Sequence, residues 1–497
     1  MTQSHASPYA RRERLAFNLG QNTVPGRSVI DAKIAADRET SFTTAFYVAP
    51  NDWGYFGLLA FTAVLLLRPQ DQVPGLSALH LAEVCAVLGI GPMLIYRVAR
   101  KRPVFRMTPE TVGLLVLGAA ILGTAPFSIW PGGSVGVFFD AYLKIFVVFV
   151  LMTNTLTTRA RLEQITWLVL VCVGVVAVLS VFDYARGANL VEGDRLNGSV
   201  GGIFGNPNDL AMNMVTFLPI GVVFATMPRY TLRVRLVAAA AAALMLATIV
   251  FTKSRGGIIG LAAMFVALLV LGQKIRRGFG ATAVVAILVA APFAPASFWE
   301  RMSSITDDQK DKQQFTGTRE TRTNLMQAGI DTFLERPFTG VGAGQFQNYN
   351  PPWRKQQWNE THNALIQVAA ETGIVGLLAF TFLIGAAYRA AAATRRLLAR
   401  PRRAWMADPI QTVISDADRQ WLFAYAVAMT AGLIGWFVCS MFASLAYNWT
   451  FYYLFALIVA AYQLTRDCVA AGRSLQVHAP ARAARSGSAP DRAAGEA

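Results

Sequence analysis

Residues 361–389, THNALIQVAAETGIVGLLAFTFLIGAAYR, join a polar segment to an apolar run that is long enough to cross a lipid bilayer. The run at 363–388 is unbroken and rich in Leu, Ala and Phe, which favours a transmembrane helix over the alternating pattern of a barrel strand. The polar insert before it, 297–362, ends at His362. This junction between a polar insert and a membrane helix is the feature around which the rest of the sequence is arranged.

The composition indicates an integral membrane protein. Hydrophobic residues make up 54% of the chain, charged residues only 15%, and the mean hydropathy is +0.41, values outside the usual range of soluble proteins. We predict an all-α fold with about twelve transmembrane helices and a large, partly helical periplasmic loop before the tenth. The predicted spans are 53–68, 78–97, 111–130, 137–154, 165–183, 208–227, 232–251, 256–272, 279–296, 363–388, 421–445 and 449–465.

The net charge of +16 follows a topological pattern. When the segments between spans are assigned alternately to two sides, the basic residues concentrate on the side of the N-terminal tail. This positive-inside pattern predicts that both termini are cytoplasmic, and it explains the basic excess without nucleic acid as a partner. The four cysteines lie in or next to spans and show neither a disulfide framework nor metal-ligand spacing. We therefore expect no metal and no cofactor.

Five regions follow from this topology. Residues 1–44 form a basic cytoplasmic tail, 45–296 hold spans one to nine, and 297–362 form a periplasmic loop that acts as a lid. Residues 363–465 hold spans ten to twelve. The remainder, 466–497, is rich in Ala, Arg, Ser and Gly, and this composition predicts a disordered cytoplasmic tail.

Three local features yield structural predictions. In the insert, 319–336 is predicted to form an amphipathic helix capped by Thr318, with one apolar face that comprises Met326, Ile330, Phe333 and Leu334. The GVGAG segment at 340–344 follows this helix and is interpreted as a turn. Within span four, Asp140 and Lys144 are one helical turn apart, a spacing that favours an ion pair between them; the alternative is a role in proton or ion transfer.

Positive charge on the predicted outer side is an exception that requires a ligand or a partner. Arg195 precedes span six, and Lys253 and Arg255 precede span eight, in each case beside glycines and a helix N-terminus. Free N–H groups at such termini favour anions, and guanidinium groups bind phosphate oxygens bidentately. The alternatives are contact with lipid headgroups, or a local salt bridge such as Arg195 with Glu192 or Asp194.

His362 is the histidine that lies at an outer membrane boundary next to residues of chemical interest. Asn363 follows it, Glu371 lies in the same helix, and the two outer arginine loops belong to spans that a bundle can bring close. An imidazole, with an ordinary pKa of about 6.5, can accept a proton from a hydroxyl at neutral pH. The alternative for a single histidine is a purely structural role.

With these residues identified, the chain resembles the O-antigen ligase and O-antigen polymerase superfamily of bacterial membrane glycosyltransferases. The similar segments are Arg195 followed by GIFGNPNDLA, SRGG at 254–257, ERPFTGVGAGQF at 335–346 and THNALIQVAAETGIVG at 361–376. The resemblance implies metal-independent transfer of a glycan from undecaprenyl diphosphate to an acceptor hydroxyl, at the periplasmic face of the inner membrane. A base opposite the leaving group implies inversion at the anomeric carbon.

The resemblance also implies site residues. Arg195 and Arg255 match positions that bind the diphosphate, and His362 matches the position that activates the acceptor or stabilises the transferring centre. Glu371 matches a recurrent acidic position that is either functional or structural. The other substrate-binding candidates are Lys253, Asn206, Asn208 and Asn363, in or beside these segments, and Arg319 and Arg322, on the predicted helix of the insert.

The acceptor stays open at this point. A ligase to lipid A-core is the favoured prediction, the alternative is a polymerase that extends an O-antigen or exopolysaccharide chain, and protein O-glycosylation shares the same motifs. The oligomeric state is also open. A transporter of lipid-linked oligosaccharide is the alternative from another class, but it predicts internal repeats and charges along a central path, whereas the charges here cluster on the outer side.

Overall fold

The prediction of an all-α membrane protein is confirmed by the computed structural model of the chain. The structure describes residues 52–101, 103–192, 194–272, 295–303, 319–355, 358–399, 408, 410–411 and 413–486. In these ranges the secondary structure is helical apart from one two-stranded hairpin. The predicted tail at 1–44, the cap Thr318 and nearly all of span nine lie outside the described residues.

Thirteen longer helices and the hairpin position the rest of the described chain. They are α1 (Trp53–Leu67), α2 (Leu81–Ala99), α3 (Pro109–Thr124), α4 (Pro131–Thr155), α5 (Arg159–Ala185), β1 (Leu190–Val191), β2 (Arg195–Leu196), α6 (Pro207–Thr226), α7 (Leu232–Thr252), α8 (Arg255–Gly272), α9 (Ala296–Ser303), α10 (Arg319–Glu335), α11 (Ala364–Leu398), α12 (Asp416–Ser440) and α13 (Trp449–Ser486). Short helical turns lie at Pro69–Gln72, Leu76–Leu79, Ala125–Phe127, Gly202–Phe204 and Phe346–Asn348.

Ten helices in the described part of the chain are long and apolar enough to cross a membrane, and α1 is a shorter apolar helix. Each of these eleven helices overlaps one of the predicted spans. The chain is thus a multi-pass membrane protein. The last helix continues past 465, the predicted end of span twelve, to Ser486, so residues 466–486, which we predicted to be disordered, are helical.

Close helix packing depends on small residues, as is usual in membrane bundles. Between α8 and α12, a Cβ added to Gly260 would lie 2.3 Å from the Cys439 sulfur and 3.0 Å from the Gly435 carbonyl oxygen. A larger residue at 260 would therefore separate the two helices. On the other side of α12, the Trp436 ring stacks on Phe451 of α13, with ring centroids 4.4 Å apart. These contacts fix α8, α12 and α13 relative to one another.

The predicted ion pair between Asp140 and Lys144 is wrong. Lys144 donates a hydrogen bond of 2.7 Å to Glu83 of α2 instead. The turn Val137–Tyr142 within α4 is π-helical, which changes the rotation per residue, so the four-residue spacing no longer describes a regular α-helical pair. The packing of α2 against α4 therefore determines that Lys144 pairs with Glu83.

Helix α11 is broken at Gly373, whose backbone (φ 65°, ψ −162°) is accessible to glycine and strained for other residues. The segment after α10 lies against this break, because Val341 N donates to the Ala370 carbonyl (2.9 Å) and Ile374 N donates to the Pro337 carbonyl (2.7 Å). The first part of α11, 364–372, therefore packs with the insert. A small core of Ala328, Val341, Phe346 and Ala370 unites them.

The predicted apolar face of α10 is also wrong. The buried face of the helix is formed by Leu325, Ala328 and Thr332, whereas Ile330 and Leu334 are exposed. Small residues are required where α10 crosses α11, since a Cβ at Gly329 would lie 2.4 Å from an Ile366 methyl carbon. Size at the helix crossing, rather than hydrophobicity, selects this face.

The helices alternate in direction, so α5 and α7 end, and α6, α8 and α11 begin, at the same end of the bundle. We call this the site end. The hairpin β1–β2, α9 and α10 also lie there, and it corresponds to the side predicted to be periplasmic. The GVGAG prediction is confirmed as a turn, with positive φ at Gly340, Gly342 and Gly344.

Candidate functional site

Arg195, on β2, has a buried guanidinium that joins three elements at the site end. Its Nε donates to the Thr252 carbonyl at the end of α7 (3.1 Å), and its Nη2 donates to Asn208 Oδ1 at the start of α6 (3.1 Å). Its Nη1 donates to the Glu192 carboxylate at 2.6 Å. The local salt bridge raised as an alternative is therefore present, and Arg195 fixes the hairpin over the starts of the helices.

Lys253 connects α7 to α8 in a left-handed conformation (φ 50°) that reverses the chain. Its side chain is 1% exposed and bonds to Asp194 and to Ser297 Oγ, the latter at 2.6 Å. Lys253 thus attaches the hairpin to the segment that begins α9. It lies in this contact rather than in the cleft described below, so its position supports an architectural role.

The N-termini of α6 and α8 lie side by side and are tied together by Asn208. Its Oδ1 accepts from Arg195 and also from Ser254 Oγ (2.8 Å), which itself accepts from Gly257 N (3.2 Å) at the start of α8. Asn206 caps α6, because its Oδ1 accepts from the backbone N–H groups of Asn208 and Asp209, both at 3.0 Å. Two helix N-termini therefore converge, and their dipoles favour a bound anion.

A small, partly open cleft lies between these two N-termini, the end of α12 and α10. Arg255 is the first residue of α8 and lies in the chain between Ser254 and Gly256, which both line the cleft. Arg322 projects into the cleft from α10, and Arg319 begins the same helix. The lining residues are Asn208, Met212, Ser254, Gly256, Gly257, Arg322, Cys439, Phe442 and Ala443.

Arg301 of α9 adds a buried guanidinium to this region. Burial, followed by the positive charge of Arg195 and by those of Arg255 and Arg322, lowers the pKa of Arg301 to about 10, while Glu192 opposes the shift. The Arg301 Nη2 lies 3.6 Å from the Glu192 carboxylate, which Arg195 also contacts. Four arginines from four elements thus interact electrostatically, and one carboxylate is shared by two of them.

His362 lies beside this group of arginines. Burial, and secondly the charge of Arg322, lowers the pKa of His362 to about 4, so the imidazole is neutral at pH 7. Its backbone is left-handed (φ 53°), and its N–H donates to Ser444 Oγ at 2.9 Å. Thr361 Oγ1 contacts the same hydroxyl at 3.0 Å. These contacts hold an otherwise strained residue just before α11, where it senses the charge of Arg322.

Asn363 and Glu371 have architectural partners. Asn363 caps α11 through Oδ1, which accepts from Leu365 N (3.0 Å) and Ile366 N (3.1 Å). The buried Glu371 carboxylate accepts from Gly344 N (2.8 Å) and Phe346 N (3.4 Å), and so holds the turn after α10 against the break in α11. For Glu371, the structural alternative left open by the sequence matches these contacts.

Sequence reasoning missed Arg301, Glu192 and Ser444 as parts of this region. Arg301 could have been found, since it lies on the predicted outer side where positive charge is scarce, but the near charge balance of the insert concealed it. Glu192 had been considered only as a partner of Arg195. Ser444, in the connection from α12 to α13, has no sequence signal because its position depends on how α11 packs on α12.

The arrangement can bind a polyanion next to a neutral imidazole. Arg195, Arg255, Arg301 and Arg322 provide positive charge at two helix N-termini, a combination that stabilises phosphate oxygens. His362 can accept a proton from a group held beside Arg322. Among the residues that the structure describes, no group of three or more His, Cys, Asp or Glu side chains is placed to hold a metal ion.

A comparison with protein families gives one finding for this region. Residues 240–381, less than a third of the chain, match the model of the family described as O-Antigen ligase. The matched region extends from α7 into α11 and contains Arg255, Arg301, Arg322 and His362. No curated protein matches the chain.

Proposed function

Since this match supports the O-antigen ligase superfamily, and with it a membrane glycosyltransferase of the ligase or polymerase type, we propose that the chain is an inverting, metal-independent O-antigen ligase. It transfers a glycan from undecaprenyl diphosphate to a hydroxyl of lipid A-core, at the periplasmic face of the inner membrane, with both termini cytoplasmic. The observation that carries the proposal is the group of Arg195, Arg255, Arg301 and Arg322, whose charges interact and of which Arg322 lines the cleft, with neutral His362 beside Arg322.

The arginines act on the leaving group. As the glycosidic bond breaks, negative charge grows on the diphosphate, and preorganised guanidinium groups in a partly buried site stabilise that charge. Arg322 lines the cleft, Arg255 lies in the chain between the lining residues Ser254 and Gly256, and the N–H groups at the start of α8 add to their charge. Arg195 and Arg301 contribute mainly by their field, because they also contact Glu192.

His362 acts on the acceptor. Its neutral imidazole accepts the proton of the attacking hydroxyl, which approaches the anomeric carbon from the side opposite the diphosphate and so inverts its configuration. A pKa of about 4 makes the free imidazole a weak base. A bound diphosphate offsets the charge of Arg322, which raises the pKa of His362 toward its ordinary value when the donor is in place.

The test is transfer by purified protein from a lipid-linked glycan to lipid A-core, with a chelator present and no nucleotide. We expect His362→Ala and Arg255→Ala to lower turnover by at least about 100-fold. The matched controls are His80→Ala and Arg336→Ala, because His80 lies in a turn before α2 and the Arg336 guanidinium covers the Tyr349 ring beyond the far end of α10. Unchanged turnover in the first two variants would refute the site.

The acceptor is determined in the same assay. If a growing glycan replaces lipid A-core as the productive acceptor, the protein is a polymerase of the same superfamily. The roles of the arginines and of His362 are the same in both cases, because donor and attacking group have the same chemistry.

A further inference from the structure

An exposed apolar stripe runs along the C-terminal half of α10 and continues beyond the helix. Ile330 is 40% exposed, Leu334 is 67% exposed and Phe338 is 74% exposed, at intervals of four residues. The helix periodicity places Ile330 and Leu334 on one face, opposite the buried Leu325, Ala328 and Thr332. Large apolar side chains in a row indicate contact with an apolar partner.

The same face of α10 is polar in its N-terminal half. Thr323 and Gln327 precede Ile330 and Leu334 at helical spacing and are also exposed. Arg322, in this half of the helix, reaches the cleft. Only the half of this face that is farther from the cleft is apolar. An apolar partner therefore contacts the C-terminal half of α10 and not the N-terminal half.

The position of Phe338 identifies this partner. Pro337 and its neighbours bond to α11 at the Gly373 break, after which 374–398 is uninterrupted helix. A helix of that length spans about 37 Å, enough to cross a bilayer. Its residues Val375, Leu378 and Phe382 are exposed large hydrophobic groups at helical spacing, as expected on a lipid-facing surface. Phe338 thus lies where a membrane-spanning helix begins.

A second loop indicates the same position for the membrane–water interface. Phe127, Ile129 and Trp130, between α3 and α4, are exposed large hydrophobic residues. They are joined to the segment after α10 by the hydrogen bond from Ile129 N to the Val341 carbonyl (3.1 Å). Exposed aromatic residues at the end of a span are typical of the membrane–water interface. The stripe on α10 is therefore continuous with the lipid-facing surface of the bundle.

We infer that the C-terminal half of α10 is inserted into the lipid leaflet at the site end, with Ile330, Leu334 and Phe338 among the acyl chains. The helix slopes from the cleft at Arg322 down to the bilayer at Leu334, over about 18 Å. This half of α10 is consequently an interfacial membrane element. This inference does not depend on the reaction that the cleft performs.

The experiment measures the depth of nitroxide labels in the full chain, reconstituted in vesicles of phosphatidylethanolamine and phosphatidylglycerol. Leu334→Cys and Phe338→Cys carry the label on the apolar stripe, and Thr323→Cys carries it on the polar half of the same face. The unmodified chain gives the background from Cys85, which is partly buried, and from the three buried cysteines. Collision rates with oxygen, which concentrates in lipid, are compared with those of a water-soluble nickel chelate.

We expect labels at 334 and 338 to collide at least about threefold more often with oxygen than with the chelate, and the label at 323 to show the reverse. Because two positions on the stripe are labelled, the inference can still be tested if one of the two variants does not fold. Chelate access at 334 and 338 equal to that at 323 would place the stripe in water and overturn the inference. Protection of both positions from both reagents would place another protein surface there, and would overturn it equally.

Discussion

The charge state of His362 depends on its surroundings at the scale of single residues. Burial and the charge of Arg322 both disfavour the imidazolium, which holds the pKa of His362 at about 4 instead of its ordinary 6.5. Because the unfolded chain binds this proton at a higher pH than the folded chain, acid lowers stability as the pH falls from 6.5 to 4. Above pH 6.5 this group makes no difference to stability.

Arg322→Gln removes the smaller of the two causes. We expect the pKa of His362 to rise while remaining below 6.5, since burial, the larger cause, is unchanged. The measurement is an NMR titration of histidine-labelled protein, in which His5, His80 and His478 provide internal references. A pKa of His362 that falls or does not move in Arg322→Gln would contradict the proximity of the two side chains.

Glu192 is the carboxylate that Arg195 and Arg301 share, and more than a third of its side chain is exposed. Its negative charge offsets part of the field that these two guanidinium groups exert on a bound diphosphate. We expect Glu192→Gln to tighten the binding of a polyprenyl diphosphate by roughly two- to fivefold, the scale of a partly exposed ion pair. Isothermal titration calorimetry with farnesyl diphosphate measures this.

The matched control is Glu335→Gln, because Glu335 accepts from the Tyr349 hydroxyl (2.9 Å) at the far end of α10. Its affinity for farnesyl diphosphate should equal that of the unmodified chain. Weaker binding in Glu192→Gln would mean that the carboxylate organises the arginines and that this effect outweighs the charge it offsets.

At the scale of the elements, the break in α11 is what places the insert. Gly373 has a positive φ of 65°, and a Cβ there would lie 2.5 Å from the Phe338 carbonyl carbon. Gly373→Ala should lower the free energy of unfolding by about 2 kcal/mol or more, from backbone strain and this clash. Tryptophan fluorescence during thermal unfolding in detergent measures the loss.

Gly385→Ala is the matched control on the same helix, because nothing lies within 4 Å of an added Cβ and Ala favours the helix. Its stability should be equal to or slightly above that of the unmodified chain. If both variants unfold at the same temperature, the strained break at Gly373 is not what attaches the insert to α11.

The positions of the membrane helices could be predicted from the sequence, but the faces on which helices pack and the partners of their charged residues could not. An apolar run of about 20 residues is sufficient for a membrane helix, so each predicted span in the described chain has its helix. Which face packs is a tertiary property, as α10 shows with Gly329 against Ile366. Likewise, Lys144 pairs with Glu83, a residue 61 positions away, and no local spacing reveals this.

The candidate site was predictable to the extent that it followed from topology. Alternating spans bring Arg195, Arg255 and His362 to one end, and charge on the side where it is scarce marked the arginines. The contacts of Lys253, Asn363 and Glu371 were not predictable, because a polar residue next to a site has the same sequence signal whether it meets substrate or a backbone group. The structure supplies those partners.

At the scale of the whole molecule, the end opposite the site holds the helices together by buried charge. Asp418, at the start of α12, contacts Arg159 of α5 (3.2 Å) and Arg229 in the connection from α6 to α7 (2.8 Å). We expect Asp418→Asn to lower the free energy of unfolding by about 2 kcal/mol, since it weakens the charged contacts with Arg159 and Arg229 while Arg159 keeps its ion pair with Glu163 (2.7 Å). The affinity for farnesyl diphosphate should not change, because the site lies at the other end.

Asp467→Asn is the control for this prediction, because its ion pair with Arg106 is exposed and 3.4 Å long. Such a pair contributes about 0–1 kcal/mol. Thermal unfolding and calorimetry on both variants separate stability from binding. A loss of diphosphate affinity in Asp418→Asn would show that the two ends of the bundle are coupled.

The most direct test of the proposed reaction is the stereochemistry of transfer by the unmodified chain. A lipid-linked glycan of known anomeric configuration is incubated with protein and lipid A-core in the presence of EDTA, and the new linkage is assigned by NMR. We predict inverted configuration and one undecaprenyl diphosphate released for each bond formed. Retained configuration, or transfer that requires an added divalent cation or a nucleotide sugar, would contradict the mechanism assigned to His362 and the arginines.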